Sequence, residues 1–262
     1  MKSLFTIVTA AIVACCVGVA CCGDTAEDAR KIAEANQDAV VTVKLVVEMK
    51  MSYNGETEKQ EHRMSATATV IDPSGLVVTS LMETDPSSYT SYEEYGGRCS
   101  IDVVSVKIKT ADGTEIPADV VLRDPDLDLA FMKPKKAPEK PMAFVNLSQS
   151  STPRIMDELV ILSRLGQIGS YSLAAEMCRI EAVITKPRRL YSITAYSLGG
   201  PAFTLDGKVA GVVLWRVSKT PQRRDFSDDD ALVVVLPSSD MLKAADQAKG
   251  GALETANVKA AD

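Results

Sequence analysis

Histidine is almost missing from this chain: His62 is the only one in 262 residues. A single imidazole argues against a zinc site, which draws on clustered His and Cys ligands, and no metal is expected. A basic excess is missing too, since 29 Lys and Arg stand against 35 Asp and Glu, a formal net charge of -6. That balance leaves no electrostatic footprint for nucleic acid. No phosphate-cradling glycine loop and no cofactor fingerprint occurs, so no cofactor is expected. What is present is a hydrophobic content of 46%, enough for a full core in one large domain or two small ones, without marking a multi-span membrane protein.

Cysteine is nearly confined to one place. Four of the six, Cys15, Cys16, Cys21 and Cys22, fall in an uncharged apolar run that follows Met1 and Lys2. This is the pattern of a targeting segment, here residues 1–22. Small residues precede Cys15 and Cys21, as an acylated lipoprotein cysteine requires. An ordinary leader ending at Ala20 and a retained anchor fit the same run, and the sequence leaves all three open. Each implies export to the periplasm or cell envelope, with membrane contact only through the leader or a lipid. In an oxidising compartment the two other cysteines, Cys99 and Cys178, are candidates for one disulfide, against two separate thiols.

Beyond the leader the chain reads as short strands and turns. A capping pattern at Thr25 and Asp28 opens a helix over 24–37. Runs at Val40–Met49 and Arg63–Asp72 are rich in β-branched residues, and Asn54-Gly55 marks a turn between them. Strands are predicted at Val103–Lys109, Glu115–Leu122 and Leu127–Lys133. The polar stretch Glu83–Ser100, with Tyr89, Tyr92 and Tyr95, is predicted as a loop. A Pro/Lys-rich linker, 134–142, separates this half, 38–133, from a second strand-rich half, 143–237. A helix over 238–249, capped by Ser238 or Ser239, and a polar tail, 250–262, complete the chain. Two groups of short strands with regular turns argue for two packed barrels or sandwiches.

Four collinear segments carry a resemblance. They are "ATVIDPSGLVVTSLME" (Ala68–Glu83), "TADGTEIPADVVLRDPDLDLAFMK" (Thr110–Lys133), "SLGGPAFTLDGKVAGVVL" (Ser197–Leu214) and "VVLPSSDMLKAADQ" (Val234–Gln247). In order and spacing they resemble trypsin-like serine proteases of the HtrA (Deg) branch. The resemblance implies an all-β fold of two six-stranded antiparallel β-barrels, with a short N-terminal and a C-terminal helix. It also implies a catalytic triad, in which a histidine takes the proton of an attacking serine and an aspartate orients the imidazole. Asp128 falls on the aspartate. Met82 falls on the histidine and Leu198 on the serine, so two of three roles are vacant.

Substitutes are scarce. Ser197 lies one residue from the nucleophile position and Glu83 is the nearest carboxylate. Together they define an alternative, an active hydrolase with a rearranged site. His62 reads as a strand-edge histidine. Gly199 and Gly200 of the oxyanion loop are kept, but Tyr196 replaces the glycine that would supply the second donor. Asp128 has a plain structural reading as an acceptor of backbone N–H groups at a strand entrance. Leu214, Trp215 and Arg216 fall on the strand that in this family pairs with an extended peptide, a mode that outlives catalysis. The expectation is an exported, catalytically inactive HtrA-type protein that binds a peptide or envelope protein, without the C-terminal peptide-binding module of its family.

Overall fold

A computed structural model describes residues 24–53, 56–85, 97–217 and 231–250. The leader with Cys15 and Cys21, the Asn54-Gly55 turn, the three tyrosines and the tail beyond 250 lie outside the described residues.

Alternating apolar residues build the first barrel. Helix α1 (Thr25–Asn36) leads through a 3-10 turn into β1 (Val40–Tyr53). The strands β2 (Glu56–Val70), β3 (Val77–Ser80), β4 (Gly97–Lys109), β5 (Glu115–Asp124) and β6 (Leu129–Pro134) follow. They close in the order β1-β2-β3-β6-β5-β4. Val41, Val43, Leu45 and Val47 point inward from β1 at a period of two and meet Ala68, Val70, Val77 and Ile108. The β2–β3 turn is tight: Gly75 N–H bonds Asp72 C=O at 2.9 Å, with φ +86° at Gly75.

The second half contains β7 (Glu158–Arg164), β8 (Leu173–Arg179), β9 (Ala182–Ile184), β10 (Leu190–Ser192), β11 (Pro201–Thr204), β12 (Val209–Val217) and β13 (Ala231–Pro237). The expected six-stranded barrel is here a seven-stranded sheet, ordered β8-β7-β11-β12-β13-β10-β9. Its two ends are consecutive in the chain. At the corner, Ile180 N–H bonds Asp157 beside β7 while Glu181 N–H bonds Ser192 on β10. One bent strand therefore counts as two and carries the sheet back upon itself.

The largest core lies between the halves. Val40, Val78, Leu129 and Phe131 face Val160, Leu162, Phe203, Val212 and Leu214. Ala29 and Ile32 of α1, and Met241, Ala244, Ala245 and Ala248 of α2 (Ser238–Gly250), close over it. Each large aliphatic side chain buried there stabilises the fold by about 1.5–3 kcal/mol. The linker is pinned as well: Met142 N–H bonds Pro73 C=O and Val145 N–H bonds Val70 C=O.

Three local expectations need correction. The N-cap of α1 is Asp24, whose carboxylate accepts from Ala26 N–H at 3.1 Å, so Thr25 is already helical. Neither serine caps α2, because the Ser238 hydroxyl donates to Val209 C=O and that of Ser239 to Asp240. Strand β4 starts at Gly97, inside the predicted loop, because its backbone pairs with β1 as far as Tyr53 opposite Gly97. Tertiary pairing overrides the polar composition there. No helix among the described residues is long and apolar enough to cross a membrane.

Candidate functional site: a vacated catalytic cleft

Asp128 lies at the entrance to β6, wholly buried, with φ +60°. Its carboxylate accepts from both halves of the molecule. Oδ1 accepts from the Met82 N–H at 2.9 Å, and Oδ2 accepts from the Ser80 hydroxyl at 2.7 Å and the Trp215 N–H at 3.0 Å. Two donors come from the first barrel and one from the second, so this carboxylate joins the halves. Such charge-assisted bonds are about twice as strong as neutral ones.

The loop around Leu198 to Gly200 is held tightly between the barrels. Gly199 N–H bonds Val213 C=O at 2.7 Å, and Val213 N–H bonds Gly200 C=O at 2.9 Å. Gly199 has φ +75°, and a Cβ there would lie 2.2 Å from Thr67 C=O. Only glycine fits a loop pressed this closely on β2. Thr69 donates to Gly199 C=O and Thr79 donates to Thr67 C=O, locking the loop between the barrels. Leu198 is half-buried, packing against the second core and lining a cleft beside the loop. Burial raises the proton affinity of Glu176, and the Tyr196 amide lowers it in part. The Tyr196 ring itself is 93% exposed.

Beside this loop opens a small cleft, lined among others by Thr42, Ser65, Thr67, Glu83, Arg164 and Ser197. Burial, and secondarily the Asp128 charge, push the Glu83 carboxyl above its ordinary value. Ser197 and Glu83 share the cleft, but no hydrogen bond joins them among the described residues. Arg164 is a strut: its guanidinium donates to Val40 and Gln37 carbonyls, and its backbone N–H and C=O exchange bonds with the Thr67 hydroxyl. Sequence reasoning missed Ser80, Thr67, Thr69, Thr79 and Arg164. The signal was there in "TAT" and "VVTS", where hydroxyls occupy strand positions that the pattern assigns to buried side chains.

The expected peptide edge needs the same scrutiny. Leu214 is fully buried in the inter-barrel core and does not wall a groove. Val213 bonds toward the nucleophile loop, and the Trp215 N–H is bonded to Asp128. By the alternation of an antiparallel ladder, Leu214 and Arg216 then turn their backbone groups to β13. The Ile193 N–H bond to Val233 C=O, on the far side of β13, agrees with that parity. The Arg216 guanidinium folds back onto the Asp126 carbonyl.

Other candidates stand apart. His62 is exposed on β2, opposite Val47. Cys178 is free on β8, and burial with Glu176 and Glu181 nearby pushes its thiol up to about 11, which makes it an inert nucleophile. The Cys99 side chain lies outside the described residues. Among the described residues no group of three or more His, Cys, Asp or Glu is placed to hold a metal ion.

The model of the trypsin-like peptidase domain matches residues 66–212, more than half of the chain. This chain belongs to the trypsin-like peptidase family. Within it the likeness is to the HtrA, or DegP-like, side. A curated relative, the "Probable periplasmic serine endoprotease DegP-like" of Rickettsia conorii, is 27% identical over 153 residues. That alignment covers 55% of this chain and 27% of the relative, so the chain spans about a quarter of the relative's length. In this trypsin-like domain Asp128 is buried and bonded, and residues 82 and 198 carry a thioether and an isobutyl group.

Proposed function

We propose that this HtrA-type domain is an exported pseudoprotease that holds a peptide or envelope protein as a scaffold and does not cleave it. One observation carries the reading. The loop that would present a nucleophile presses on β2 at Gly199 with φ +75°, yet the side chain it offers to the cleft at Leu198 is aliphatic and rests in part on the second core. Methionine at 82 accepts no proton at neutral pH, and loss of either base or nucleophile costs a triad enzyme on the order of a millionfold. Export is supported by the leader pattern and by the word periplasmic in the relative's name. The bound segment would enter the cleft of Glu83, Ser197 and Tyr196, next to the Trp215–Arg216 end of β12.

A second reading has one observation in its favour: Ser197 and Glu83 line one cleft, and the raised proton affinity of Glu83 moves it toward the range of a working base. A serine-reactive fluorophosphonate separates the two. The scaffold reading expects no labelling of the purified chain. Stoichiometric labelling that disappears in Ser197→Ala, with peptide turnover lost in Glu83→Gln, would establish the hydrolase instead.

A further inference from the structure

The β1–β2 hairpin is much longer than the barrel needs. β3 pairs with β2 only at Thr69 and Val70, so among the described residues nothing pairs with the outer edge of β2 from Glu56 to Arg63. All eight residues are exposed. A bare edge of this length is a template for another strand.

Its charges select which strand. Lys59 and Glu61 share a face with Glu48 and Lys50 of β1 and Asp102 of β4. A ladder of ion pairs runs across that face: Asp102 to Lys50 at 2.5 Å, Lys50 to Glu48 at 3.5 Å and Glu48 to Lys59 at 3.2 Å. Glu61 breaks the ladder. It stands directly opposite Glu48, a like charge, and has no ion pair among the described residues.

We propose that this edge pairs antiparallel with the same edge of a second copy of the chain, centred on Gln60. A twofold axis joining a strand to its own copy stands perpendicular to the sheet and keeps each face on its own side. Opposed residues must then have the same parity, which removes every odd register. Of the even registers, centring on Glu58, Lys59 or Glu61 sets that residue against itself, charge on like charge. Centring on His62 carries the pairing into Ser65 and Ala66, which line the cleft. Centring on Gln60 sets Lys59 against Glu61 twice, Glu58 against His62 twice and Thr57 against Arg63 twice. The cation that Glu61 lacks is Lys59 of the other copy, and the ladder continues across the junction. This pairing is independent of what the cleft does.

Disulfide trapping in the full chain tests it. Directly opposed Cβ atoms lie about 4.5–5.5 Å apart, near enough for a disulfide to form with slight adjustment. Under mild oxidant, Gln60→Cys should give covalent dimer well above the parent chain, whose own cysteines set the baseline. Thr57→Cys, about 20 Å from its copy in this register, should stay at that baseline. Adding Lys59→Glu to Gln60→Cys should cut trapping about tenfold, and adding Glu61→Lys to that pair should restore it. All these positions are exposed, and an unchanged thermal melt confirms folding. Equal trapping at residues 57 and 60, no trapping above baseline at Gln60→Cys, or charge reversal without loss and rescue would overturn the pairing, including the case in which the edge takes a foreign peptide.

Discussion

Asp128 and Glu83 are neighbouring carboxylates, close enough for the charge of one to raise the proton affinity of the other. Asp128 is sealed from water and accepts from Ser80, Met82 and Trp215. Glu83 lines an open cleft and has no hydrogen bond or ion pair among the described residues. In a working triad the aspartate serves the histidine. Here the donors that remain are backbone amides and one hydroxyl from both barrels, so the residue that looks most catalytic holds the halves together. The carboxylate with chemical freedom is the one that the triad pattern does not mark.

Stability measurements can break this contrast. Asp128→Ala leaves two buried amides and a hydroxyl without their acceptor, and each unsatisfied group costs about 1–3 kcal/mol. The expected loss is roughly 3–5 kcal/mol by urea unfolding; a change below about 1 kcal/mol would show that the seam does not depend on this carboxylate. Next in size is Gly199→Ala, whose Cβ would meet Thr67 C=O at 2.2 Å. It should cost about 2–4 kcal/mol. Its control is Gly207→Ala, also at positive φ (+77°) but with nothing within 4 Å, at about 1–2 kcal/mol for the backbone alone. Equal losses at the two glycines would mean that the loop is not clamped.

Glu83 should give the smallest effect, and its sign follows from pH. Its folded pKa is raised above the ordinary 4.5, so the folded chain holds this proton more tightly than the unfolded one. Stability therefore falls as pH rises from about 4.5 through the raised value, and stays lowered above it. Glu83→Gln should melt higher than the parent at pH 7 by about 2 °C or less, and level with it below pH 4. A destabilising effect at pH 7 would mean that Glu83 has a cationic or donor partner.

Much of the architecture was legible because local rules and tertiary demands agree. The Asp72–Gly75 turn and the alternating β1 pattern follow from spacing along the chain. Misreadings came where long-range contacts decide. Gly97–Ser100 is polar and loop-like by composition, yet it is strand because β1 offers it a backbone ladder. Leu214 looked like a groove wall by position in the motif, and the parity of β12 against the second core turned it inward. The seven strands of the second sheet could not be counted from sequence, since the corner at Ile180-Glu181 is set by bonds to Asp157 and Ser192, distant in the chain.

The sequence alone determined which chemical groups are present at the three triad positions, because side-chain identity needs no fold to be read. It also determined the all-β class, through period-two patterning and turn residues. Only the tertiary structure decided what the surviving groups do. Whether Asp128 meets amides or water, where Leu198 points, and which edge of β2 is left bare depend on segments tens of residues apart arriving at one place, and no local pattern encodes those meetings.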